Sequence, residues 1–219
     1  MNSLFPGRVD LGIAKGSSTE DFLSLMHDIQ SGAPNNTQKK VDDLFSFFNN
    51  EDEYFEKGIT IPPYKYPAPN LWMLGLSYRG LKDCLKYDCN FSRSLFHNVS
   101  KDKPMVEELK IFTDQYGEKF GKKPKVNIAI AGIVGESEKD AKNLHAKSMW
   151  GKNTFIVPNI LAGKDKFTDY VLKLNMDFDV NEIIFLDLSP TLENKFNTIE
   201  LLSEIQDSVS FEKEIPLVA

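Results

Sequence analysis

Two short segments combine a cation, small residues and hydroxyls in an order that suits an anion. The first is Ala14-Lys15-Gly16-Ser17-Ser18, where a lysine and two serines surround a glycine. The second is Gly75-Leu76-Ser77-Tyr78-Arg79-Gly80, with a serine, an arginine and two glycines. Each follows an extended apolar pattern and precedes a helical one. At such a turn, free backbone N–H groups, hydroxyls and a cation together favour a phosphate or carboxylate. By spacing alone, helix caps and solvated cations are the commoner use of the same residues. Neither segment is a P-loop or a G-x-G-x-x-G fingerprint.

Other chemistry-bearing residues are sparse. His27 and His145 fall in helical patterns with no second ligand at metal spacing, and read as surface or packing residues. His97 follows a candidate strand at the end where α/β active sites lie, so it is the histidine with a positional case for catalysis. Asp10 is a carboxylate on the polar face of a strand and reads as a hydrogen-bonded structural residue. There is no G-x-S-x-G or H-E-x-x-H, hence no nucleophile elbow or zinc helix. Cys84 and Cys89 are five apart, which is not C-x-x-C spacing. Two thiols in a chain of this length fit a reducing, cytoplasmic setting.

The elements that would position these residues alternate between period-two and period-3.6 patterns. Val9, Leu11 and Ile13 share one face of a strand over 8–14, with Asp10, Gly12 and Ala14 on the other. That division suits a strand with helices outside and a ligand-lined interior. Phe22, Leu25, Met26 and Ile29 recur at helical spacing, as do Val41, Leu44, Phe45 and Phe48. Phe45, Phe47 and Phe48 read as core and subunit contact. Residues 49–70, acidic at Glu51-Asp-Glu53 and then proline-rich, read as an irregular excursion or an edge segment. Further strands are expected near 71–75, 90–96, 126–134 and 182–187. Helices are expected through Leu81 to Leu85, from Pro104 to Tyr116, from Glu138 to Lys147, around Phe167 to Leu174, and from Ile199 to Val209. Five strands separated by helices imply an α/β chain read as one domain over 1–219. They make either a small doubly wound sheet or five-eighths of a (β/α)8 barrel.

Composition narrows the classes. The chain has 219 residues, 41% apolar, with 26 basic against 32 acidic side chains and a formal charge of −6. An acidic chain without a basic stripe is a poor nucleic-acid binder. No apolar run reaches the length of a membrane span, and the first residues lack the pattern of a secretory signal.

The segment Leu4-Phe-Pro-Gly-Arg-Val-Asp-Leu-Gly-Ile-Ala-Lys-Gly16 resembles the L-x-P-G-R-hydrophobic-x-L-G-x-(G/C)-R-(G/A) stretch of the bacterial luciferase-like, flavin-dependent monooxygenases. Trp72-Met-Leu-Gly-Leu-Ser77 is similar to that family's W-L-L-G-S-S turn. Val126 to Glu136, then Ala141, resembles the strand and helix before its C-terminal extension. Asp179-Val-Asn-Glu-Ile-Ile184 with Asn197-Thr-Ile-Glu-Leu-Leu202 resembles its closing strand and final helix. The resemblance implies an incomplete (β/α)8 barrel of about five βα units, with three N-terminal strands of the family pattern absent. It implies reduced FMN, or less readily a deazaflavin, at the carboxyl ends of the strands. Ala14 would lie beside the ring, and Lys15, Ser17 and Ser77 on the phosphate, with Leu76 and Gly80 completing the cofactor-binding set. Lys15 stands where the family has arginine, keeping the charge without the bidentate fork. The implied activity is oxygenation of a small organic substrate such as an aldehyde, with a flavin reductase as partner. Self-association or a separate N-terminal piece would cover the open strand edges. A non-catalytic flavin-binding relative is the alternative.

Overall fold

The computed structural model describes residues 4–14, 37–60, 68–76, 78–97 and 106–208. The strands are β1 (Asp10–Ala14), β2 (Asn70–Gly75), β3 (Asn90–Ser94), β4 (Val126–Gly135), β5 (Ile160–Gly163) and β6 (Glu182–Asp187). The helices are α1 (Thr37–Asn49), α2 (Glu51–Glu56), α3 (Leu81–Tyr87), α4 (Val106–Phe120), α5 (Glu138–Lys147), α6 (Lys164–Phe178) and α7 (Leu192–Ser208). Parallel strands alternate with helices, so the chain is an α/β protein. Among the described residues β1 pairs only with β2 and β6 only with β4, which leaves the array open. The expected helix over Phe22 to Ile29, the prolines Pro62, Pro63 and Pro67, and the helix start at Pro104 lie outside the described residues.

Four expectations need correction. Six strands are present where five were expected. The additional strand, β5, is the four-residue run Ile-Leu-Ala-Gly, too short to show a period. Residues 49–70 are not irregular throughout, because Glu51, Asp52 and Glu53 occupy the first turn of α2, where carboxylates complement the helix dipole. The third strand stops at Ser94 rather than residue 96, and the last helix begins at Leu192 rather than Ile199.

The chain divides into two compact units. In the first, β1 pairs in parallel with β2 in the register Asp10↔Asn70, Gly12↔Trp72 and Ala14↔Leu74. The other face carries Leu11 and Ile13 beside Leu71 and Met73, of which Leu71 and Met73 are buried. The division of β1 into apolar and small-polar faces is therefore the one its alternation predicts. Phe91, at the start of β3, contacts Phe112 of α4 edge-on, and Phe45 of α1 stacks on Tyr87 of α3 at 4.2 Å.

Within this unit α3 ends on Asp88, which adopts φ 56° and ψ 51°. An aspartate tolerates this left-handed position better than most residues, and its carboxylate is held on both oxygens. Tyr116 donates its hydroxyl to Oδ1, and Lys122 Nζ lies 2.9 Å from Oδ2.

In the second unit β4 is the central strand and is buried almost throughout. β6 pairs with its residues 127–132 and β5 with its residues 132–135, both in parallel. Leu95, just past β3, donates its N–H to the Ala129 carbonyl 2.9 Å away. Asn159 then takes over that edge. Its N–H donates to the Ala131 carbonyl at 2.8 Å, its Oδ1 accepts from the Ala131 N–H at 2.9 Å, and its Nδ2 donates to the Leu95 carbonyl at 2.9 Å. One side chain thus closes the gap between the end of β3 and the start of β5. Gly132 is required where β5 joins, because a Cβ there would sit 2.1 Å from the Ile160 carbonyl oxygen.

Candidate functional site

In α/β proteins of this kind ligands gather at the carboxyl ends of the parallel strands. In the first unit those ends are Ala14 and Gly75, and the Ala14↔Leu74 register makes them neighbours. Gly12 and Ala14 share a face with Trp72 and Leu74. Ala14 is exposed, and Leu74 and Leu76 are 40% and 38% exposed. The result is a shallow apolar shelf, small on the β1 side, at the strand ends. Trp72 is buried on the same face, and its Nε1 has no hydrogen-bond partner among the described residues.

After β2 the chain turns through a short 3-10 helix, Tyr78–Gly80, into α3. Gly80 is the N-cap, and no side chain caps the helix there. A Cβ on Gly80 would approach Met73 Cγ to 3.1 Å and Phe91 Cε2 to 3.4 Å. The glycine therefore lets the turn settle onto the core beneath it. Arg79 is exposed on this turn. Of the expected cofactor-binding residues, Ala14, Leu76 and Gly80 belong to this first unit. Lys15, Ser17 and Ser77 lie outside the described residues, as does His27.

His97 belongs to the second unit. Its Nδ1 lies 2.6 Å from Ser94 Oγ, and its ring packs between Phe96 and Phe155 at centroid distances of 4.5 and 4.7 Å. Its backbone bridges to Ile156, and Val157 donates its N–H to the Phe96 carbonyl at 2.9 Å. Asn153 shapes the approaching segment, its Oδ1 accepting the N–H groups of Phe155 and Ile156. Burial lowers the His97 pKa from its ordinary value, which favours the neutral ring at pH 7. With Nδ1 engaged by Ser94, Nε2 is the nitrogen left for proton exchange. Ser94 and Phe155 were missed by sequence reasoning. The only available signal for Ser94 was its position three residues before His97, while Phe155 comes from a connection sixty residues away.

The remaining expectations resolve simply. Asp10 is exposed and accepts a hydrogen bond from Asn70 Nδ2 at 2.9 Å, a structural role. Phe45 is core, whereas Phe47 is 42% exposed and contacts Tyr54. His145 sits in α5 with Nε2 buried, a packing position. Among the described residues no group of three potential ligands could hold a metal ion, and no helix is long and apolar enough to cross a membrane.

The parallel α/β fold is similar to that of solved luciferase-like flavin-dependent monooxygenases, at 12–16% identity. The chain superposes on the monooxygenase RslO1 from Streptomyces bottropensis with a TM-score of 0.67 at 12% identity, over 94% of this chain and 70% of that one. It matches apo-MsnO8 with a TM-score of 0.66 at 16% identity, over 95% and 71%. It also matches the oxygenating constituent of 3,6-diketocamphane monooxygenase from the CAM plasmid of Pseudomonas putida, solved with FMN. That match has a TM-score of 0.62 at 15% identity, over 93% and 72%. No protein-family model matches the sequence, and no curated protein matches it.

Proposed function

We propose that the chain binds a reduced flavin at the carboxyl ends of β1 and β2 and serves an O2-dependent oxygenation of a small organic substrate. The carrying observation is the Ala14↔Leu74 register, which sets a small exposed residue and an apolar shelf side by side at two adjacent strand ends. Ala14 leaves room for a flat ring, and Leu74 and Leu76 exclude water from one side of it. Lys15, Ser17 and Ser77 hold the phosphate, with Lys15 as a point charge rather than a fork. When bound, the flavin supplies the redox chemistry with O2.

FMN is favoured over a deazaflavin. One neighbour was solved with FMN, and a more distant one is an F420-dependent secondary alcohol dehydrogenase with an F420-acetone adduct, at a TM-score of 0.54. A separate flavin reductase supplies the reduced cofactor, an aldehyde is the first substrate to try, and the working form is a homo-oligomer. Titration of FMN and reduced FMN into the purified chain, followed by flavin absorbance and fluorescence, tests the binding. O2 consumption with a long-chain aldehyde tests the reaction.

A further inference from the structure

The two cysteines, separated by five positions in sequence, meet at the end of α3. Cys84 lies in its last turn, Asp88 is the left-handed stop, and Cys89 is the next residue. The Cys84 carbonyl accepts the N–H of Asp88 and also that of Cys89, the latter at 3.3 Å. This is a Schellman-type stop, in which the residues occupying the positions of Cys84 and Cys89 are brought into side-chain contact. Both cysteines are free and buried, at 0% and 1% exposure, and Cys84 Sγ is oriented by the Asn90 carbonyl at 3.4 Å. Hydrogen bonding with the Cys89 thiol, and then burial, push the Cys84 thiol pKa up. Sulfur is not needed for such a stop. Asp179 ends α6 in the same left-handed conformation, and there the corresponding residues are Asn175 and Val180.

We propose that Cys84 and Cys89 form a reversible thiol–disulfide site, closed by a peroxide-type oxidant and reopened by a thiol reductant. With hydrogen peroxide, one sulfur attacks the O–O bond and becomes a sulfenic acid as the first water leaves. The second sulfur then displaces the hydroxyl as a second water. Two S–H bonds and one O–O bond break, one S–S bond forms, and the two electrons pass to the peroxide. A backbone hydrogen bond between the two residues holds them near the separation that a disulfide spans. Hydrogen bonding with Cys89 and burial keep the Cys84 thiol protonated in the closed turn, so the rate is set by opening of that turn. Its latch is Asp88, held by Tyr116 and Lys122. The bond ties the last turn of α3 to the first residues of β3.

The test uses the full chain at neutral pH, treated with hydrogen peroxide, blocked with iodoacetamide and digested with trypsin without reductant. Lys86 lies between the cysteines, so cleavage after Lys82, Lys86 and Arg93 puts them on separate peptides, 83–86 and 87–93. The expected product is these two peptides joined, two hydrogens lighter than their sum, and separated by reduction. It should come from a species that runs as a monomer on a non-reducing gel. Asp88→Ala, checked for folding by circular dichroism, should form it several-fold faster, and Cys84→Ser should abolish it. Alkylated or singly oxidised thiols in both the parent chain and Asp88→Ala, or a bond only between chains, would overturn the proposal.

Discussion

At the scale of single residues the account turns on groups whose environment is set by one or two neighbours. His97 is held neutral by burial and engaged at Nδ1 by Ser94. Its folded-state pKa is lowered, so the associated stability is fully present above the unfolded value near 6.5 and is lost as pH falls below it. An NMR titration should place the His97 transition below 6.5, and a value at or above it would contradict the assignment. Glu138 behaves in the same direction. Hydrogen bonds from Lys142 and Lys166 lower its pKa to about 2, so its contribution is present above the ordinary carboxylate value and disappears in strong acid. Asp88→Ala loses the Tyr116 and Lys122 contacts and places a Cβ-bearing apolar residue at positive φ. Urea unfolding should register a loss of about 1–3 kcal/mol. Sequence alone separated Asp10, Gly12 and Ala14 from the apolar face of β1. It could not reveal the Asp88 stop, because Tyr116 and Lys122 come from another element.

At the scale of elements, β4 was legible because ten nearly continuous apolar residues state a buried parallel strand. β5 was not, because four residues carry no period and its place depends on Asn159, a polar residue before an apolar run. Replacing Asn159 by alanine leaves the Ala131 N–H and the Leu95 carbonyl without their side-chain partner. That change should cost about 2–4 kcal/mol, measured by urea unfolding, and a change under about 0.5 kcal/mol would show that the junction is not held this way. Gly132→Ala forces a Cβ against the Ile160 carbonyl oxygen. It should cost about 3 kcal/mol or more, or yield insoluble chain, because backbone cannot rotate away as a side chain can.

At the scale of the whole molecule, the open array and its exposed apolar groups bear on assembly. Leu192, Phe196 and Ile199 lie on one side of α7 at 68%, 56% and 59% exposure, and Ile184 on β6 is 43% exposed. An exposed apolar row such as that on α7 favours association. Sedimentation should show a dimer or larger species at micromolar concentration, and Phe196→Glu should shift it toward monomer. A cooperative, well-folded monomer of the parent chain would contradict that expectation. The alternation of strands and helices announced the α/β class. The likeness to luciferase-like barrels did not follow from periodicity, because an open sheet and a barrel share the same βα unit.

The central claim is that the ends of β1 and β2 hold a flavin, and titration of reduced FMN under anaerobic conditions tests it most directly. The account predicts saturable binding that weakens about tenfold or more in Lys15→Ala and Ser77→Ala, each removing a phosphate contact worth roughly 1.5–3 kcal/mol. Absence of binding at hundreds of micromolar in either redox state would contradict it, as would binding that both substitutions leave unchanged.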